Sequence, residues 1–166
     1  MQPSYLPQRA FHAAYGLDIS ELDVVLVESD RAIRVIMHKM LTELGIKKLR
    51  VPRSVEDSFW AMRQMPPSLL IVDQHTAPID GISLVRRMRA ADVGQLAFVP
   101  AILTVRSTTN TLVEMAIAAG VNQLLIKPFS PRILTAKLRQ LSADGRYFVL
   151  KGDRYMIDQP AQSAAS

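Results

Sequence analysis

The chain has 166 residues, 49% apolar and 21% charged, with a formal charge of +5 and no cysteine. That length suits one domain with a single core and some tail. A disulfide framework and thiolate chemistry are excluded, and no apolar run approaches the roughly 20 residues that span a bilayer. The first residues lack the basic start and apolar stretch of a signal peptide, so the expectation is a cytoplasmic protein with no membrane association.

Residues 1–20, with Pro3, Tyr5, Pro7, Phe11 and Tyr15, show no clear period. Within them "QRAFHAAYG" reads as a short helix ending at Gly16, and the segment is taken as an arm outside the core. From residue 22 short apolar runs alternate with helical patterns. Val24–Val27 is a strand. Asp30 has the chemistry to cap a helix carrying Ile33, Ile36, Met37, Met40, Leu41 and Leu44, which Gly45 closes. "KKLRV" is a weak strand. Ser54 opens a helix with Val55, Phe59 and Met62 inward, and Pro66–Pro67 stop it. Trp60 on that helix is expected to be a half-buried core aromatic. "LLIVD" is a second fully apolar strand, and "QHTAPIDG" is a loop. Residues 82–90 form a basic helix, "FVPAILTV" a strand, 108–119 a helix closed by Gly120, "NQLLI" a strand, and 131–141 a helix. "DGRYFVLKGDRYMI" reads as a hairpin around Lys151-Gly152-Asp153, before the low-complexity end "QPAQSAAS". The resulting division is an arm over 1–20, a central domain over 21–142, and an extension over 143–166 that ends in a disordered tail.

Five strand–helix units in a row imply right-handed crossovers and a doubly wound, five-stranded parallel sheet covered on both faces. In such a sheet ligands bind outside the C-terminal ends of the strands. There the chain presents Glu28 and Ser29, then Asp73, then Thr104, Val105 and Arg106, then Lys127. Two carboxylates, hydroxyls and a lysine on one rim suit a small anionic group held between a lysine and a divalent cation. No glycine-rich phosphate loop follows any strand, and the three histidines lack metal-ligand spacing.

Four motifs in order, "VVLVESDRAIR", "LLIVDQHTAPIDG", "FVPAILTV" and "AAGVNQLLIKPF", resemble the receiver domain of two-component response regulators, over roughly residues 22–142. Each alone is weak; together they are highly specific. The resemblance implies a flavodoxin-like (βα)5 fold and a phosphoacceptor signalling protein rather than an enzyme. It implies that Asp73 takes a phosphoryl group from a histidine kinase or a histidine phosphotransfer protein, and that Lys127 pairs with the phosphoryl oxygens. It implies Mg2+, held through Glu28, Asp73 and the backbone carbonyl of His75. It further implies a switch hydroxyl at the end of the fourth strand and an unknown downstream protein target, with a homodimer left open.

The chain departs from this pattern in several places. Ser29 stands where the family has a second acid, so metal binding is expected to be weak. Counting back from Lys127 puts Val105 at the switch position; Thr104 fills it only if the strand is a residue shorter or bulged, and the two face opposite sides. Arg106 follows, where a small residue is usual, and Leu124 stands at the aromatic switch position. Two readings remain: a stand-alone, atypical receiver still phosphorylated on Asp73, and a phosphorylation-independent interaction module of the same fold. A third, nucleic-acid binding through Arg86, Arg87 and Arg89, is the weakest, because the basic residues are otherwise scattered.

Overall fold

The computed structural model describes residues 6–159. Pro3, Tyr5 and the expected tail beyond residue 159 lie outside them.

Five strands form a parallel sheet in the order β3-β2-β4-β5-β6, with β2 at Asp23–Val27, β3 at Lys48–Arg50, β4 at Leu69–Asp73, β5 at Ala101–Val105 and β6 at Gln123–Ile126. This is the doubly wound, flavodoxin-like order expected from the alternation of strands and helices. The two central strands β4 and β5 are buried throughout, as uninterrupted apolar runs require when both faces are covered. Alternation of side chains then splits the core in two. Val25, Leu70, Val72, Leu103 and Val105 pack on one face with α2 (Val55–Gln64), α3 (Gly81–Met88) and α4 (Asn110–Ala119). Leu26, Leu69, Ile71, Ile102 and Leu125 pack on the other with α1 (Arg31–Glu43) and α5 (Pro131–Ala143).

The helices start where the sequence supplies caps. Asp30, Ser54, Asp80, Thr109 and Ser130 each accept a hydrogen bond from the backbone N–H three residues on. Gly120 closes α4 with φ of 89° in the left-handed region. The apolar faces are narrower than the residue spacing suggests: Ile36 and Ile133 are exposed. Trp60, expected half-buried, is 53% exposed. No helix among the described residues is long and apolar enough to cross a membrane.

The ends of the described chain differ most from expectation. Residues 9–11 are a strand, β1 (Arg9–Phe11), not part of a helix. It pairs antiparallel with β7 (Tyr147–Lys151), which pairs with β8 (Arg154–Ile157), so the expected hairpin gains a third strand from the N-terminal side. This small sheet packs on the main core rather than standing clear of it. Phe148, Tyr155 and Ile157 join the cluster on the α2/α3/α4 face, and Tyr155 donates from its hydroxyl to the Pro7 carbonyl at 2.8 Å.

Arg89, grouped by sequence with the exposed arginines, is wholly buried. Arg89 caps the C-terminal end of α3 with helical dihedrals, four residues after Val85 and seven after Ile82, so it continues the buried stripe of that helix and points inward. Its guanidinium donates to the carbonyls of Ala97, Val99 and Gly120 and to Asn122 Oδ1, at 2.7 to 3.2 Å, and lies 4.3 Å from the centre of the Phe148 ring. Burial, with a smaller push from Arg154, lowers its pKa to about 9, which keeps it charged at neutral pH. A Cβ on Gly120 would fall 2.9 Å from Arg89 Nε, so that close approach requires glycine.

Candidate functional site

Parallel strands in register bring their C-terminal ends to one rim. Glu28 follows β2, Asp73 ends the adjacent β4, and Lys127 follows β6. Lys127 is tethered by its backbone N–H to the Val105 carbonyl at 2.8 Å. Its ammonium reaches across the rim and donates to Asp73 Oδ1 at 3.0 Å and to Glu28 Oε2 at 3.1 Å. Both carboxylates are almost fully buried, at 3% and 5% exposure. Two acids this close and this dry would repel strongly without a cation between them, and Lys127 is that cation.

Neighbouring residues fix the acids in place. Glu28 Oε1 accepts from the Asp30 N–H at 3.1 Å, and the Glu28 carbonyl accepts from Arg34 Nη1 at 2.8 Å. Sequence reasoning missed Arg34; its only signal is a basic residue six positions after the acid, one turn into the helix. Beyond Asp73, Gln74 donates its N–H to the Thr104 carbonyl and accepts through Oε1 from Ile82 N–H. Asp80 caps α3 through Ser83 N–H at 2.7 Å. Gly81 lies so close that a Cβ would sit 2.7 Å from the Asp73 carbonyl oxygen. The Asp-Gly pair thus seats α3 directly against the backbone of Asp73.

Ser29 and His75 are both exposed at this rim, and the Ser29 hydroxyl donates to the His75 carbonyl at 3.3 Å. Thr104 and Val105 are both buried and face opposite ways. Thr104 pairs in register with Asp73, and Val105 packs in the cluster on the α2/α3/α4 face with Leu124 against it. Thr104 Oγ1 has no hydrogen-bond partner. Arg106 is exposed at the end of β5 and, with Lys127, Pro128, Phe129, Ile33, Ile36, Met37 and Met40, lines an apolar cavity of about 320 Å³. The Lys127–Pro128 and Ala77–Pro78 peptide bonds are cis.

The Asp73 and Glu28 carboxylates and the His75 carbonyl are hard oxygen donors of the kind magnesium takes, with water filling its other positions. They fit that ion, with one charge fewer than a second acid at position 29 would supply. No group of three or more His, Cys, Asp or Glu that could hold a metal occurs among the described residues.

The model of the response regulator receiver domain matches residues 24–139. The transcriptional regulatory protein AfsQ1 of Streptomyces coelicolor is 30% identical over 122 residues, 74% of this chain and 52% of that protein. A chemotaxis protein CheY homolog of Campylobacter jejuni is 27% identical over 125 residues, 75% of this chain and 95% of that protein. The chain thus matches about half the length of the AfsQ1 relative and nearly all of the CheY one. Among solved structures, the receiver domain of sensor histidine kinase PA1611 from Pseudomonas aeruginosa, described with magnesium coordinated in its active-site cleft, aligns with a TM-score of 0.66 at 20% identity, covering 74% of this chain and 98% of that one. A Vibrio cholerae chemotaxis protein CheY4 aligns with a TM-score of 0.64 at 19% identity over 71% of this chain and 96% of that one.

Proposed function

Because the chain belongs to the response regulator receiver family of two-component signalling, we propose that it accepts a phosphoryl group on Asp73 and signals by docking to another protein, as an atypical receiver in the cytoplasm. One observation carries the reading: the Lys127 ammonium bridges the two buried rim carboxylates, Asp73 and Glu28. The donor is a phosphohistidine on a kinase or phosphotransfer protein. An Asp73 carboxylate oxygen forms a bond to phosphorus as the bond from phosphorus to the imidazole nitrogen breaks, and the departing imidazole nitrogen takes up a proton. Lys127 then exchanges a carboxylate partner for phosphoryl oxygens. Glu28, Asp73 and the His75 carbonyl would hold magnesium, whose positive charge would offset the negative charge of the phosphoryl oxygens. Ser29 contributes at most a hydroxyl. Counted back from Lys127, the switch position is Val105, and β5 runs unbroken through it, so we assign no switch hydroxyl there; Thr104, on the opposite face, keeps a buried hydroxyl without a partner.

The hydrogen bond from Ser29 to the His75 carbonyl supports a second reading, a module of the same fold that works without phosphorylation, since it engages a carbonyl that metal would need. Incubation with acetyl phosphate and Mg2+, followed by intact mass beside an Asp73→Asn control, separates the two. A metal-dependent adduct of one phosphoryl group, absent in the control, is expected. No adduct from acetyl phosphate or from a phosphohistidine donor would leave the second reading standing.

A further inference from the structure

The α2/α3 face carries a group of side chains that the phosphoryl site does not use. Trp60 is the only tryptophan in the chain and is 53% exposed. It stands edge-on to buried Phe59, with ring centres 5.5 Å apart. Arg87, from α3, lies 3.9 Å above the Phe59 ring and 6.0 Å from that of Trp60, and Arg63 lies 5.8 Å from Trp60. Met65, just past α2, is 63% exposed. Arg63, Arg86 and Arg87 are exposed, and none forms an ion pair among the described residues. The acids of α2, Glu56 and Asp57, lie in its first turn, where they cap the positive end of the helix dipole. The basic residues gather at the last turns of α2 and α3, at the rim opposite Asp73.

We propose that this surface, exposed Trp60 flanked by Arg63 and Arg87 with Met65 just past the same helix, docks an acidic protein segment that carries an apolar anchor. Tryptophan, methionine and arginine are the residues enriched at protein interfaces, and a tryptophan already packed edge-on against Phe59 with two guanidiniums nearby loses little freedom on binding. Two cations with no ion-pair partner among the described residues supply the charge complementarity. A protein is favoured over single-stranded nucleic acid because the cations flank one apolar spot and do not track a groove. The surface lies away from the phosphoryl site, so the proposal stands independently of what happens on Asp73.

Trp60 is its own reporter. The full chain is titrated with synthetic 12-residue peptides that set Leu or Phe among Glu residues, beside peptides with Gln for Glu and a single-stranded oligothymidine, while Trp60 fluorescence is followed. A saturable change is expected with the acidic apolar peptides, weaker for the Gln set. It should weaken on the order of tenfold in Arg63→Glu/Arg87→Glu and persist in Asp73→Asn. Both substituted arginines are exposed, and circular dichroism checks that the variant folds. No saturable change with the acidic apolar peptides, unaltered affinity in the charge-reversed variant, or tighter binding of the oligothymidine would overturn the proposal.

Discussion

Position 29 decides how strongly the rim holds a cation. The Ser29 hydroxyl carries no charge and is engaged with the His75 carbonyl, so Ser29→Asp should add a second acid and tighten Mg2+ binding by about tenfold or more. Isothermal titration with Mg2+ measures this; equal affinity would show that Glu28, Asp73 and the His75 carbonyl set the site without position 29. Position 89 is a different kind of residue. In Arg89→Met the carbonyls of Ala97, Val99 and Gly120 lose their donors in a dry interior, and the expected cost is about 3 kcal/mol in urea unfolding. Glu28, Asp73 and Lys127 were legible as rim residues because each ends or follows an apolar run at the C-terminal end of a strand. Arg89 was not, because it was grouped by charge with Arg86 and Arg87 although it continues the stripe of Ile82 and Val85, and the acceptors that allow its burial are remote in sequence. Trp60 misled for a related reason: its neighbour Phe59 fills the core position and leaves the larger ring outside.

At the scale of elements, capped helices and apolar strands were readable because both signals are local. The small sheet was not, since β1 is three residues long and shows no period of its own; only its pairing with β7 defines it. His12, just past β1, ties this sheet to the end of α5. It is buried, with Nε2 hydrogen-bonded to the Asp144 carbonyl and Nδ1 accepting from Ala14 N–H, which requires the neutral ring. Burial holds its pKa below the ordinary 6.5, against the upward pull of Asp144. The unfolded chain therefore takes up this proton first as pH falls. The resulting stability is present above about pH 6.5 and is lost as pH drops through the lower folded value. Urea midpoints at pH 7.5 and 5.5 should differ more for the natural chain than for His12→Gln; an equal drop would assign the loss to other groups.

For the whole molecule, the alternation of strand and helix was enough to give the parallel sheet, its two covered faces and the rim where chemistry collects. What it could not give is how the flanking segments return to that body, because nothing local encodes a contact such as that between His12 and Asp144, 132 positions apart. That contact, with the β1–β7 pairing, closes the chain into a ring. Closing so long a loop costs about 2 kcal/mol more in chain entropy than closing one of ten residues. The strands β2 to β6 meet that cost in smaller steps, each between neighbours in sequence or nearly so. The ring should therefore be the last part to close during folding and the first to open. In native-state hydrogen exchange the Leu150 amide, bonded to the Gln8 carbonyl, should exchange through a lower-energy opening than the Ile102 and Leu103 amides in the central strand. Equal protection would mean that the small sheet and the parallel sheet open as a single cooperative unit.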